Sequence, residues 1–232
     1  MKVARILRVS EQGVSRPYVC EDEAGRLRWC KGNHTGIRAV ICEWICARLA
    51  VRLELPVPEP AILRLDTDNF ESWRVKRNSE VPTLVTAVNP YVFGSLNVNN
   101  VKDVFKPEIE LAHINENRLA EIYMFDRLVR NTDRTYANSN LLVNGSVYII
   151  DHNNAFDPAF APQVFSDEHI LREYYRRSSE RVRSDFQALV AERITGRFID
   201  EIWSEMPEAW ADVGAELLPP AEIKAKLEDF TL

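Results

Sequence analysis

Apolar positions in the first ninety residues come in short runs separated by polar turns. Val3 to Val9, Pro17 to Cys20 and Leu27 to Lys31 read as strands, with Glu21 to Gly25 as the turn of a hairpin. The period then changes. Residues 37–53, IRAVICEWICARLAVRL, set Val40, Trp44, Ala47 and Val51 at helical spacing and predict an amphipathic helix. LPVPEP stops that helix and leads into an extended run from Ala61 to Leu65, because proline lacks a donor and disfavours helix in the residue before it. The polar residues 66–80 predict an exposed loop or hairpin tip, and Thr83 to Val88 a further strand.

The pattern changes again near Asn89 and Pro90. Beyond it, helices are predicted over roughly 101–106, 108–130, 168–178, 180–194, 197–205 and 220–229, around a non-helical island at 131–160. The expected fold class is α+β and bilobal: a small β-rich lobe with one helix over residues 1–90, and a larger, mainly helical lobe over 91–232.

Composition narrows the function classes. Hydrophobic residues are 46% and charged residues 28%, as in ordinary globular proteins. Lys and Arg total 29 against 35 Asp and Glu, a net charge of −6 with no long basic run, which argues against general nucleic-acid binding. The eight glycines fit neither G-x-G-x-x-G nor G-x-x-x-x-G-K-[ST], so neither common glycine-rich phosphate loop is present. The start, MKVARILRVS, does not read as a secretory signal and no apolar run is long enough to span a membrane, so a cytoplasmic protein with no membrane partner is expected. Cys20, Cys30, Cys42 and Cys46 contain no C-x-x-C pair. They are expected as reduced, small apolar core residues rather than as zinc ligands.

Candidate chemistry gathers in the island. NTDRTYANSNLLVNGSVYIIDHNNAFD, residues 131–157, holds two short apolar runs, 141–143 and 147–150, around Asn144-Gly145, a strong hairpin signal. A two-residue turn would bring the loop before the first strand alongside the end of the second and make Asn138 and Asp151 neighbours. Their oxygens are hard ligands suited to Mg²⁺ carrying nucleotide phosphates. Asp133, five residues before Asn138, is placed to accept or orient the proton of an attacking hydroxyl. This is the D-x-x-x-x-N plus distal Asp layout of kinase-type phosphoryl transfer. Lys31 at a strand end and Glu43 in the following helix supply the matching clamp on the nucleotide phosphates; a carboxylate inside the apolar run of residues 40–46 needs a cation.

NTDRTYANSNLLV and YIIDH, together with WCKG and GIRAVICEWICARLAVRLELPVPEP, resemble the HipA-like kinase family, a bacterial group related more distantly to phosphatidylinositol kinases. The likeness spans roughly residues 3–160 and is sharpest at 131–152. It implies a protein-kinase-like fold and an ATP- and Mg²⁺-dependent kinase with a protein Ser/Thr acceptor, a small-molecule or lipid hydroxyl being the alternative. Residue by residue it implies Asp133 as base, Asn138 and Asp151 as metal ligands, Lys31 as the phosphate-contacting lysine and Glu43 as its partner. Arg134 would stabilise charge near the transferred group or pair with a structural carboxylate, and His152 would support or pack. Asp-His-Asn stands where Asp-Phe-Gly would be and no Ala-Pro-Glu follows, so control by an activation loop is not expected. Between the first two strands SEQGVSRPY carries Gly13 alone; the backbone there and Ser15 are the expected phosphate contacts, with Arg16 adding charge. That single glycine also motivates a different class, a module that binds nucleotide or a partner without transferring phosphate.

Overall fold

The computed structural model describes residues 1–11, 15–76, 81–99, 101, 103–104, 114–228 and 230. Five strands, β1 (Val3–Val9), β2 (Tyr18–Asp22), β3 (Leu27–Lys31), β4 (Pro60–Arg64) and β5 (Tyr91–Leu96), form one antiparallel sheet in the order β1-β2-β3-β5-β4. The turn expected at Glu21 to Gly25 is there, closing the β2–β3 hairpin, with Asp22 Oδ1 accepting from Ala24 N and Arg26 N. Asp22 is buried; burial alone would raise its carboxyl, but hydrogen bonds from Arg28 and from the turn bring it down to about 2.

Strand β5 lies between β3 and β4. The sheet thus continues past Asn89–Pro90 to Leu96, beyond the point where the composition changes. Thr83 to Val88 is not a strand: Thr86 and Asn89 close on each other through two backbone hydrogen bonds of 3.1 Å, while Leu84 and Val85 fill the core under the sheet. The expected loop at 66–80 contains α2 (Thr67–Val75). Asp66 Oδ1 caps its start by accepting from Asn69 N, and Phe70, fully buried near Tyr18, anchors it.

Helix α1 (Ile37–Arg52) joins the two regions of the molecule. Every residue from Val40 to Ala47 is buried, so it is apolar nearly all round rather than striped, and Val51 is exposed. One side meets β4 and β5; the other joins the main core of Phe125, Leu128, Ile149, Phe186 and Trp210. Cys42 and Cys46 belong to this core, and Cys20 and Cys30 to the sheet core.

The remaining chain is largely helical. Residues 101–106 are not a helix where described: β6 (Asp103–Val104) pairs with β7 (Leu141–Val143), which pairs with β8 (Val147–Ile149). The expected helix at 108–130 is observed as α3 (Glu116–Leu128), capped by Asn115; residues 105–113 lie outside the described ones. A helix that was not expected, α4 (Pro162–Glu168), comes next, and the predicted helix over 168–178 is observed as α5 (Arg172–Arg177). Then come α6 (Glu180–Arg193), α7 (Gly196–Ser204), α8 (Glu208–Leu217) and α9 (Pro220–Glu228), of which α8 was not expected. A small antiparallel sheet followed by a helical region makes the fold α+β. Among the described residues no helix is long and apolar enough to cross a membrane.

Candidate active site

Lys31 is the last residue of β3, paired with Phe93 of β5, and its side chain turns inward. Gly32 follows, with the Leu84 carbonyl oxygen so near that a Cβ there would sit 2.2 Å from it; the close approach fixes the strand end that carries Lys31. Lys31 Nζ lies 2.5 Å from Glu43 Oε1 and 2.7 Å from Asp151 Oδ1, tying β3, α1 and the segment after β8 into one cluster. Glu43 Oε2 accepts from the backbone N–H of His152, 3.2 Å away. Asp151 has φ 59°, a left-handed conformation that asparagine and aspartate tolerate better than most side chains.

Electrostatics bind the three groups to one another. Burial lowers the Lys31 pKa, but the charges of Glu43 and Asp151 outweigh it and leave the ammonium held above its ordinary range. Burial raises the Glu43 carboxyl, against the pull of Lys31. Asp151 would also be raised by burial, yet Lys31 holds it below its ordinary value. Two carboxylates share one ammonium, so the cluster carries surplus negative charge in a poorly solvated place. Asp151 is its more exposed acid, with 24% of the side chain accessible against 5% for Glu43. The surplus charge and the hard oxygens suit Mg²⁺, which takes one or two carboxylates and leaves its other positions to phosphate and water.

Asp133 and Asn138 meet as the motif suggested. Asp133 Oδ2 accepts from Asn138 Nδ2 at 3.0 Å and from Asn140 Nδ2 at 3.2 Å, while among the described residues nothing donates to Oδ1. Thr135 and Asn138 exchange backbone hydrogen bonds of 3.0 and 3.2 Å, which folds the loop back and leaves Asn138 exposed. Among the described residues no hydrogen bond joins Asn138 to Asp151. The hairpin turn has three residues, Asn144 to Ser146, rather than two, and it is Asn140 whose carbonyl continues the ladder by accepting from Ile150 N.

Arg134 does not face the proposed chemistry. It is fully buried, donating from Nε to Asp126 Oδ2 at 2.6 Å and from Nη2 to Asp126 Oδ1 at 3.2 Å, and from Nη1 to the carbonyls of Ser139 and Asn140. A guanidinium so enclosed cannot stabilise charge on a transferred group; of the two expected roles it takes the structural one, pairing with a carboxylate while pinning both ends of the loop. Asp126 on α3 was missed by sequence reasoning. It also accepts from Asn131 Nδ2 at 2.8 Å and from His169 Nε2 at 3.0 Å. His169 Nδ1 accepts from Leu171 N, which puts the ring proton on Nε2. Burial works to raise Asp126, but Arg134 and His169 hold it far below the carboxylate range. The signal was available: a lone carboxylate after Ile122, Tyr123, Met124 and Phe125, the same interruption of an apolar run that singled out Glu43.

His152 supports as expected. It is buried, edge-on to Phe125, and Arg134 donates to its Nε2; burial first, then Arg134, bring its pKa down to about 3. Ser15 lies half-buried between β1 and β2, and no described contact joins its hydroxyl to the Lys31 cluster. Gly13 lies outside the described residues.

No curated protein matches the chain. Among solved structures it is similar to the proinflammatory kinase CtkA of Helicobacter pylori, with a TM-score of 0.57 at 12% sequence identity over 98% of this chain and 94% of that one. At that identity the likeness is one of fold. The HipA-like kinase model matches residues 3–230, and on that match, which runs through both the sheet and the helical region, the chain belongs to the HipA-like kinase family.

Proposed function

We propose that the chain transfers the γ-phosphoryl group of ATP, in the presence of Mg²⁺, to a serine or threonine hydroxyl of a protein. The observation that carries this reading is the triple contact in which Lys31 lies between Glu43 and Asp151, the segment before Asp151 being tied through Ile150 N and the Asn140 carbonyl to the loop that leaves one oxygen of Asp133 open. On ATP binding Lys31 turns from Asp151 toward the nucleotide phosphates while Glu43 retains it. Asp151 and Asn138 would hold Mg²⁺, which when bound neutralises phosphate charge and aligns the γ-phosphate. Asp133, its Oδ2 steered by Asn138 and Asn140, presents Oδ1 to the acceptor hydroxyl. As the hydroxyl oxygen bonds to phosphorus and the bond to the ADP oxygen breaks, the hydroxyl proton passes to Asp133. The backbone around Gly13 and Ser15 is proposed to cover the phosphates.

The test is transfer of label from γ-labelled ATP with Mg²⁺, comparing wild type with Asp133→Asn and Asp151→Ala. Loss of the base is expected to lower transfer about 10²- to 10⁴-fold with nucleotide-induced thermal stabilisation retained; Asp151→Ala is expected to lose the Mg²⁺ dependence of that stabilisation. Nucleotide stabilisation without label on the protein, on candidate acceptors or as released phosphate would refute transfer.

A further inference from the structure

Thr132, the residue before Asp133, lines a concavity of about 250 Å³ that the proposed chemistry leaves unused. Its apolar wall comes from Ala159, Ala161, Val164 and Phe165, the last three at or near the start of α4, and two carboxylates, Asp157 and Glu168, complete it. Asp157 is held firmly: Oδ2 accepts from Thr132 Oγ1 at 3.2 Å and Oδ1 from Ala159 N at 2.8 Å. Glu168, at the end of α4, is exposed. Among the described residues neither carboxylate has a cationic partner, although most arginines of this region do have an acidic one: Arg172 and Arg176 pair with Glu173, and Arg177 with Glu116. His169, also in the lining, is bridged to Thr135, so the wall of the concavity and the loop carrying Asp133 are one framework.

An apolar wall with two unpaired carboxylates matches a side chain that has an aliphatic stem and a cationic head. We infer that this concavity receives an arginine or lysine of the acceptor protein, a few residues from the phosphorylated serine or threonine. The inference rests on the kinase reading above and names its substrate class. The spacing is reasonable: Thr132 and Asp133 are adjacent in the chain, about 3.8 Å between Cα atoms, and an extended acceptor advances about 3.3 Å per residue.

The test uses fluorescein-labelled, alanine-rich peptides with one central serine and one arginine moved in turn from four residues before it to four after, each with a glutamine counterpart. Binding is read by anisotropy on the full chain carrying Asp133→Asn, which stops turnover. Arginine at one or two positions is expected to tighten binding about tenfold over glutamine, a gain of about one charge-assisted hydrogen bond, and Glu168→Lys to remove that gain while leaving the melting temperature unchanged. Equal gains at all positions would mean only general attraction to an anionic protein, and a gain that survives Glu168→Lys would place the cation elsewhere; either result overturns the inference, as does no gain at any position. A parallel assay with wild type and labelled ATP separates the two readings: position-dependent binding with no label transferred to any peptide would sink protein phosphorylation and leave the cation site standing.

Discussion

Asp126 and Arg134 hold in place the loop that carries Asp133. Both are fully buried, and their pairing is completed by Asn131, His169 and the carbonyls that Arg134 gathers from Ser139 and Asn140. A buried ion pair adds little over an apolar replacement, but removing one partner strands the other charge. Asp126→Asn is therefore expected to lower unfolding free energy by about 3–5 kcal/mol, measured by urea denaturation, and to loosen the loop that presents Asp133. A loss below about 1 kcal/mol, the range of an exposed pair, would show the network to be solvated. Glu43 obeys the same rule at the other end of the site, with Lys31 as its cation. Sequence reasoning found Glu43 because a candidate lysine stood nearby in a known arrangement; Asp126 has its partner eight residues away in a stretch already assigned to catalysis, and so went unnoticed.

At the scale of elements, α1 and α8 are the informative pair. Gly214 of α8 packs on Ile41 of α1 so closely that a Cβ there would lie 2.9 Å from Ile41 Cδ1. A glycine in mid-helix and a proline just before it read as breakers, which hid α8 in the sequence; the close helix contact is what the glycine allows. Trp210, also on α8, is fully buried and donates from Nε1 to Asn89 Oδ1 at 3.0 Å, holding the turn that leads into β5. Trp210→Ala is expected to cost about 3–5 kcal/mol, and Trp210→Phe about 1 kcal/mol plus a small cavity term, both by chemical denaturation. Equal costs would mean that the hydrogen bond, not the ring, carries the contact. Helix α2 escaped detection for a different reason: apart from Phe70 its residues are not buried, so it shows no apolar stripe. Strand β5 was displaced in the reading because the apolar residues at 84–85 fill the core from a turn and mimic a strand.

Over the whole molecule, the main core joins α1 and Phe93 of β5 to the helical region, while the sheet keeps a second core of its own. Three histidines in and beside these cores, His34, His152 and His169, have pKa values lowered chiefly by burial, His152 to about 3. His152 faces Arg134, Asp126, Asp151 and Lys31, and His169 faces Asp126 and Arg134. The unfolded chain takes up these protons near 6.5 and the folded one resists, so stability is full above that value and falls as pH drops below it. Glu43, Glu121 and Glu205, raised by burial, act in the opposite sense at the acid end, while Asp22, Glu59, Asp126 and Asp151, held low, act with the histidines. The unfolding free energy measured by urea denaturation is expected to fall between pH 7 and pH 5, by at most about 1.4 kcal/mol per pH unit for each histidine, and His152→Gln to flatten the slope; a stability constant over that range would contradict neutral buried histidines.

The amino-acid sequence alone specifies the strands of the β2–β3 hairpin, helix α1, the hairpin at 141–149 and the grouping of Asp133 with Asn138, because each depends on local periodicity or on residues close along the chain. It also carried the pairing of Lys31 with Glu43, since a carboxylate in an apolar run demands a cation. Tertiary structure decided the rest. Lys31 reaches Asp151, 120 residues away, only through the packing of α1 between sheet and helices, and Arg134 turns inward because Asp126 waits there as a buried charge. Which polar groups face a substrate and which hold the scaffold is set by burial, and burial belongs to the assembled fold rather than to any stretch of the chain.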